Sequence, residues 1–161
     1  MDILLDELRA GFPDLAQIVR LLVRISIAML LGAIIGLQRE QYGKPAGLRT
    51  HILVAMGSAL FVIAATESGM TSDGVSRVIQ GLTTGIGFIG AGAILKLGQE
   101  REIYGLTTAA GIWATAAVGV AVGLGLLGLA VLSVILIWFV LAGLGCVEAR
   151  IKLSSETKRE P

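Results

Sequence analysis

The stretch that decides the fold is Arg77-Val-Ile-Gln-Gly-Leu-Thr-Thr-Gly-Ile-Gly-Phe-Ile-Gly-Ala-Gly-Ala-Ile-Leu95. It is apolar enough to lie in a bilayer, and its glycines open the backbone to close approach. At about 100° per residue on a helix, Gly81, Gly85 and Gly92 share one side, with Thr83, Gly87 and Gly90 roughly opposite. Two smooth faces predict a central helix with neighbours packed on both. The letters Gly85-Ile-Gly87-Phe-Ile-Gly90 also match G-x-G-x-x-G. A dinucleotide site needs a preceding strand and an acid about 20 residues on; both are missing, so the string reads as helix packing.

Composition supports a bilayer setting. Of the 161 residues, 55% are hydrophobic and 16% charged, and the mean hydropathy is +0.83. A soluble domain averages about 45–50% apolar and about 25% charged. The expected class is therefore an all-α membrane protein. The net charge of +1 suggests no nucleic-acid or acidic partner. The single Cys146 cannot form an internal disulfide and reads as a small buried residue. No cleavable signal peptide is visible, because Asp2, Asp6 and Glu7 stand where a basic region is needed.

Upstream of the Gly-rich stretch, residues 1–13 mix leucines with charges and suit a helical turn or two at the interface. Asp14 can cap the next helix, with Gln17 in the capping-box position. A first span is expected over 15–37. Its Arg20 can snorkel to the headgroups. Arg24 lies a turn deeper and either snorkels as well or faces the bundle and pairs with Glu67 or Asp73. Ala28, Gly32 and Gly36 make a small-residue line along the same helix. The polar segment Gln38–His51 contains Pro45-Ala46-Gly47 and reads either as a solvated loop or as one packed against the helix ends. A second, short span is expected over 51–66. Asp73 and Arg77, at i and i+4, can pair, and Asp73 suits the N-cap or first turn of the third span.

Downstream of that third span, expected over 78–95, Lys96–Tyr104 is a charged loop. No charge then occurs between Glu102 and Glu148. As one helix, Leu106–Val147 would run ~63 Å, about twice the hydrocarbon thickness, so it must fold back. The expected turn is Gly123–Gly128, giving spans over 106–122 and 128–147. Thr108, Gly111, Thr115 and Gly119 line one strip of the fourth span. Trp138 and Phe139 are expected to face lipid or neighbouring helices. Residues 1–150 thus form one multi-pass domain and 151–161 a short cytoplasmic tail.

Five spans place Arg39, Lys44, Arg49, Lys96, Arg101, Arg150, Lys152, Lys158 and Arg159 on one side. The positive-inside rule then sets the N-terminus out and the C-terminus in. The chain shows no nucleophile–base pair, metal-ligand spacing or P-loop, so no enzyme, cofactor or metal is expected. His51, the sole histidine, has no ligand partner near it in sequence. The expected span interiors hold no Asp or Glu, which argues against a carboxylate-lined cation path. Thr83, Thr84, Thr107, Thr108 and Thr115 either hydrogen-bond between helices or supply oxygens to a path.

The segments Gly32-Ala-Ile-Ile-Gly-Leu-Gln-Arg-Glu40, Ala46-Gly-Leu-Arg-Thr50, Gly85-Ile-Gly-Phe-Ile-Gly-Ala-Gly92 and Gly105-Leu-Thr-Thr-Ala-Ala110, followed by Trp113, resemble the successive signatures of the MgtC/SapB family of bacterial inner-membrane proteins. The resemblance covers roughly residues 24–125. It implies a small multi-pass inner-membrane protein linked to adaptation to low magnesium. Regulation through contacts with other membrane proteins is the activity it implies, with transport of Mg²⁺ or another ion as the alternative. Lipid, a second copy and a membrane-protein partner are the expected associates. Arg39, Glu40, Arg49 and Thr50 match the family's first loop, and Arg24, Asp73, Arg77 and Gln80 match its polar positions. Gly32, Gly36, Gly81, Gly85, Gly87, Gly90, Gly92, Thr107, Thr108, Gly111, Thr115 and Gly119 are the expected packing residues. Virulence members carry Asn and Cys where this chain has Thr107 and Ala114, and longer members add a soluble C-terminal domain.

Overall fold

A computed structural model of the chain describes residues 14–96 and 103–156, with side chains described over 14–94 and 104–143. The expected interfacial turns before Pro13, the side chain of Cys146 and the last residues of the tail lie outside the described residues. Five helices are described: α1 (Leu15–Gln41), α2 (Leu48–Glu67), α3 (Ser72–Gly92), α4 (Leu106–Gly123) and α5 (Leu127–Glu156). Between α3 and α4, β1 (Leu95–Lys96) and β2 (Ile103–Tyr104) form a short antiparallel ladder, with Leu95 opposite Tyr104 and Lys96 opposite Ile103.

The helix starts follow from local chemistry. Asp14 Oδ1 accepts from the Gln17 amide at 2.7 Å and caps α1, as its position predicts. Thr71, one position before the helix, caps α3 through the Gly74 amide, leaving Asp73 in the first turn. Gly47 has no side chain with which to cap α2; Glu40 Oε2, reaching over from the end of α1, accepts from the Leu48 amide at 2.8 Å instead. The turn into α5 runs through Gly125, whose φ of +79° only glycine adopts readily, inside the expected turn.

The core is a close backbone seam through α1, α2 and α4. A Cβ added at Gly32 would stand 2.7 Å from the His51 carbonyl oxygen, and one at Gly36 would stand 2.7 Å from Leu48 Cα. A Cβ at Gly119 would collide with the Ala55 carbonyl, and one at Gly123 would come within 2.8 Å of Val62 Cβ. In hydrocarbon this is how helices associate: smooth faces bring backbones together and maximise dispersion contact. The apolar cluster on the seam joins Ala28, Leu31 and Ile35 of α1, Ala59 and Ile63 of α2, Val118 and Val122 of α4 and Ala130 and Val134 of α5.

This arrangement corrects the expectation that the Gly-rich helix is central. Helix α2 holds the centre, packed on α1 and α4. Helix α3 buries only Val75, Ile86 and Gly90, and lies against α4 and α2 along that line. Cβ atoms added at Gly81, Gly85, Gly87 or Gly92 would meet nothing within 4 Å. Small residues make a face approachable; they do not say which neighbour approaches it. The Ala- and Gly-lined α2–α4 contact took the central place.

The outer surface is apolar. Leu15, Leu22 and Leu30 on α1, and Leu132, Ile135, Leu136, Trp138 and Phe139 on α5, are each at least half exposed. That is the exterior of a bundle whose solvent is lipid. By length and composition α1, α2 and α4 are each able to cross a membrane. Helix α5 carries a shorter apolar stretch, Leu127–Gly143, and α3, which opens with Ser72, Asp73, Ser76 and Arg77, is not among the three. Helix α5 continues past the expected end at Val147, so residues 151–156 of the expected tail are helical.

Candidate functional site

The end of α1, the start of α2 and the start of α4 meet at one end of the bundle, and buried polar groups collect there. Arg39, in the last turn of α1, is 3% exposed. Its Nη2 donates to Thr108 Oγ1 of α4 at 3.1 Å, while its Nε is buried with no partner. Among the described residues Arg39 makes no salt bridge, and Asp73–Arg77 is the ion pair found. The neighbouring Glu40 is directed instead at the Leu48 amide.

His51 lies one turn into α2 and is fully buried. Its Nδ1 stands 2.9 Å from the Gly47 carbonyl oxygen, four residues back. A carbonyl only accepts, so Nδ1 carries the proton, and Nε2 presents a buried lone pair with no donor. The ring lies against Gly111 of α4, where an added Cβ would stand 3.6 Å from Nε2, an ordinary packing distance. Gln38 Oε1 and Ser58 Oγ are also buried without partners. Thr115, one helical turn beyond Gly111, is fully buried and returns its hydroxyl to the Gly111 carbonyl at 2.8 Å. Each unsatisfied group of this kind costs about 1–3 kcal/mol.

The segment joining α1 to α2 is packed on the bundle. Ala46 is buried with Ile86, Ile112 and Ala116, and the Lys44 amide donates to the Arg39 carbonyl at 3.1 Å. Beside it, Arg39, Lys44, Pro45, Gly105, Thr107 and Thr108 help line a cleft of about 280 Å³. Gly105, the N-cap of α4, has φ +96° and no side chain to cap with, and a Cβ there would collide with the Ala93 carbonyl.

The other predicted polar residues lie elsewhere. Arg49 is exposed and Thr50 half-buried at the start of α2. Arg24, Asp73, Arg77 and Gln80 are at the opposite end, so the eight residues form two groups. The expected pairing of Arg24 with Glu67 or Asp73 is corrected. Arg24 Nη1 donates to the Gly123 carbonyl at 3.1 Å, Glu67 accepts from Gln17 Nε2, and Asp73 holds Arg77 at 2.9 Å on an exposed surface. Arg77 and Gln80 line an open groove of about 960 Å³ between α3 and the far ends of α2 and α4. Among the expected packing residues, Gly32, Gly36, Gly111, Gly119, Thr108 and Thr115 lie on the seam, and Gly90 faces α4, where an added Cβ would stand 3.5 Å from Ala109 Cβ. Thr107 is exposed and lines the cleft rather than a helix contact.

Sequence reasoning passed over Gln38 and Ser58, and weighed His51 only as a metal ligand. The available signal was spacing: His51, Ala55 and Ser58 follow one helical face, opposite the Gly32–Gly36 line. Among the described residues no group of three His, Cys, Asp or Glu side chains converges on a point where a metal could sit.

The signature of the MgtC family matches residues 25–150. Protein SrpB of Synechococcus elongatus is 44% identical, over 74% of this chain and 72% of that protein. The putative magnesium transporter YhiD of Escherichia coli is 42% identical, over 74% of this chain and 58% of its own length. Protein MgtC of Salmonella typhimurium is 42% identical, over 65% of this chain and 43% of its own length. The chain therefore spans little more than half of YhiD and less than half of MgtC. No solved structure matches it.

Proposed function

The chain belongs to the MgtC family, and on that premise we propose that it is a multi-pass bacterial inner-membrane protein acting without catalysis, through helix–helix contacts with membrane partners, in adaptation to magnesium limitation or related stress. The observation that carries this reading is the open face of α3. Gly81, Gly85, Gly87 and Gly92 have empty space where a side chain would lie, and Phe88 between them is 84% exposed. Each glycine weakens the helix by about 1 kcal/mol relative to alanine. A smooth face of that cost suits a helix that another backbone approaches. The proposed orientation, N-terminus out and C-terminus in across five spans, rests on Arg39, Lys44 and Arg49 at one end of the bundle and on the basic residues of the later segments in the sequence.

Site-specific photo-crosslinking from Gly85 and Gly92 in native membranes tests the reading. Capture of a second copy or of one defined membrane protein is expected. Adducts with lipid alone at both positions would remove it. A reporter fused beside Lys44 should read the cytoplasm, and a periplasmic signal would reverse the orientation.

A second reading is transport of Mg²⁺ or another ion. It is supported by the name of the YhiD relative and by the buried seam of unsatisfied oxygen and nitrogen atoms at His51, Gln38 and Ser58. Liposomes containing the purified protein alone would then show ion flux. Folded protein without flux of divalent or monovalent ions would exclude this reading.

A further inference from the structure

The start of α4 lacks what the starts of the other capped helices have. Asp14, Glu40 and Thr71 supply oxygens to the first amides of α1, α2 and α3. At α4 the cap is Gly105, which has no side-chain oxygen, and the first amide with a helical acceptor is Ala109, bonded to the Gly105 carbonyl at 2.8 Å. The amides of Leu106, Thr107 and Thr108 therefore point out of the helix with no capping oxygen among the described residues, carrying the positive end of its dipole. An open helix start alone is common. Here it borders the cleft that Arg39 lines, and Arg39 is a 97%-buried cation without a carboxylate partner among the described residues. A buried charge in that state is strongly disfavoured unless an opposite charge reaches it. Lys44 lines the same cleft, and Thr107 and Thr108 place hydroxyls beside it.

We propose that this cleft binds a phosphate-type oxyanion, held between Arg39, Lys44 and the open amides of α4. Two cations and a set of convergent N–H groups select a multi-oxygen anion over a halide or a carboxylic ester. The cleft, about 280 Å³, lies at the lower end of the ~300–1,000 Å³ range of ligand pockets, a size that suits a phosphate or a single phosphoryl headgroup. It opens at the end of the bundle, beside the exposed Lys44. The anion is therefore supplied either as free phosphate from water or as the headgroup of an anionic phospholipid. The proposal is independent of the α3 face and of which partner, if any, that face meets.

The test uses the full chain, purified in a zwitterionic detergent and freed of lipid. Thermal unfolding is followed in one arm against inorganic phosphate, with chloride at equal ionic strength as the control. The second arm adds phosphatidylglycerol, with phosphatidylcholine as the control, and native mass spectrometry counts retained lipid. A rise in Tm with phosphate assigns the free anion, and a rise with phosphatidylglycerol alone assigns the headgroup; either supports the site. Lys44→Gln, at an exposed position, should weaken the effective arm about tenfold, the loss of one charge-assisted contact. Arg39→Gln should abolish it, and should this variant not fold, Lys44→Gln carries the test. Arg77→Gln, at the other end of the bundle, should leave it unchanged. No stabilisation in either arm, or stabilisation that Lys44→Gln leaves intact, overturns the proposal.

Discussion

Arg24 and Gly123 meet across the bundle: Arg24 Nη1 donates to the last carbonyl of α4 at 3.1 Å. The guanidinium lies where the α4 helix dipole is negative and its carbonyls lack intrahelical donors. Next in the chain, Gly125 turns back with φ +79°, and a Cβ there would stand 2.9 Å from Arg24 Nη2. The arginine thus closes the α4–α5 turn and fastens it to α1.

Arg24→Leu is therefore expected to lower stability by about 1.5–3 kcal/mol, the range for a hydrogen bond from a charged donor. Asp73→Asn should cost only about 0.3–0.5 kcal/mol, because it breaks an exposed i,i+4 pair on α3. Thermal or chemical unfolding in detergent compares the two. Equal losses would return Arg24 to a partnership with the acids.

The two sets of glycines should separate under substitution. Gly119→Ala drives a Cβ into the Ala55 carbonyl, a backbone atom that cannot swing aside, and Gly32→Ala does the same at His51. Each is expected to cost about 1–3 kcal/mol of overpacking or to prevent folding. Gly85→Ala meets open space and should stabilise the isolated chain by about 0.5–1 kcal/mol. Melting curves of the three variants decide this. A destabilised Gly85→Ala would mean that α3 packs against the bundle after all.

That contrast shows what the amino-acid order makes legible. The Gly32–Gly36 and Gly111–Gly119 strips, the Thr108 and Thr115 positions on them, the Asp14 cap and the turn at Gly125 all follow from periodicity and backbone rules. The place of α3 does not, because periodicity marks a smooth face without naming its neighbour. The partner of Arg24 was hidden for a similar reason: a carbonyl at a helix end competes with Asp and Glu, yet any residue supplies one. His51, read alone, looked like an isolated histidine. Its Nδ1 finds its acceptor in the Gly47 carbonyl, which any residue could supply and which is only a glycine in the sequence.

Glu40 acts as the cap that Gly47 cannot be. Glu40→Ala leaves the start of α2 uncapped and should lower stability by about 1 kcal/mol, whereas Glu40→Gln, which retains an acceptor oxygen, should lose less. Hydrogen exchange should localise the change to the first-turn amides of α2, beginning at Leu48. Uniform exchange across the bundle would show that Glu40 supports the fold by another route.

Arg39 yields opposite predictions with and without an anion. In lipid-free protein without phosphate, its guanidinium is a buried charge lacking a carboxylate among the described residues, and Arg39→Met removes that burden while keeping much of the volume. Neutral or raised stability is expected, as when buried charges give way to packed hydrophobes. With an anion that binds only the folded state, the wild type gains about 2.7 kcal/mol at a ligand concentration a hundred times Kd. Arg39→Met should gain nothing. The two melting curves should therefore cross as ligand is added: the variant is at least as stable at first, and the wild type more stable at saturation. Parallel curves throughout would assign Arg39 to packing alone, with its bond to Thr108 Oγ1 as its whole contribution.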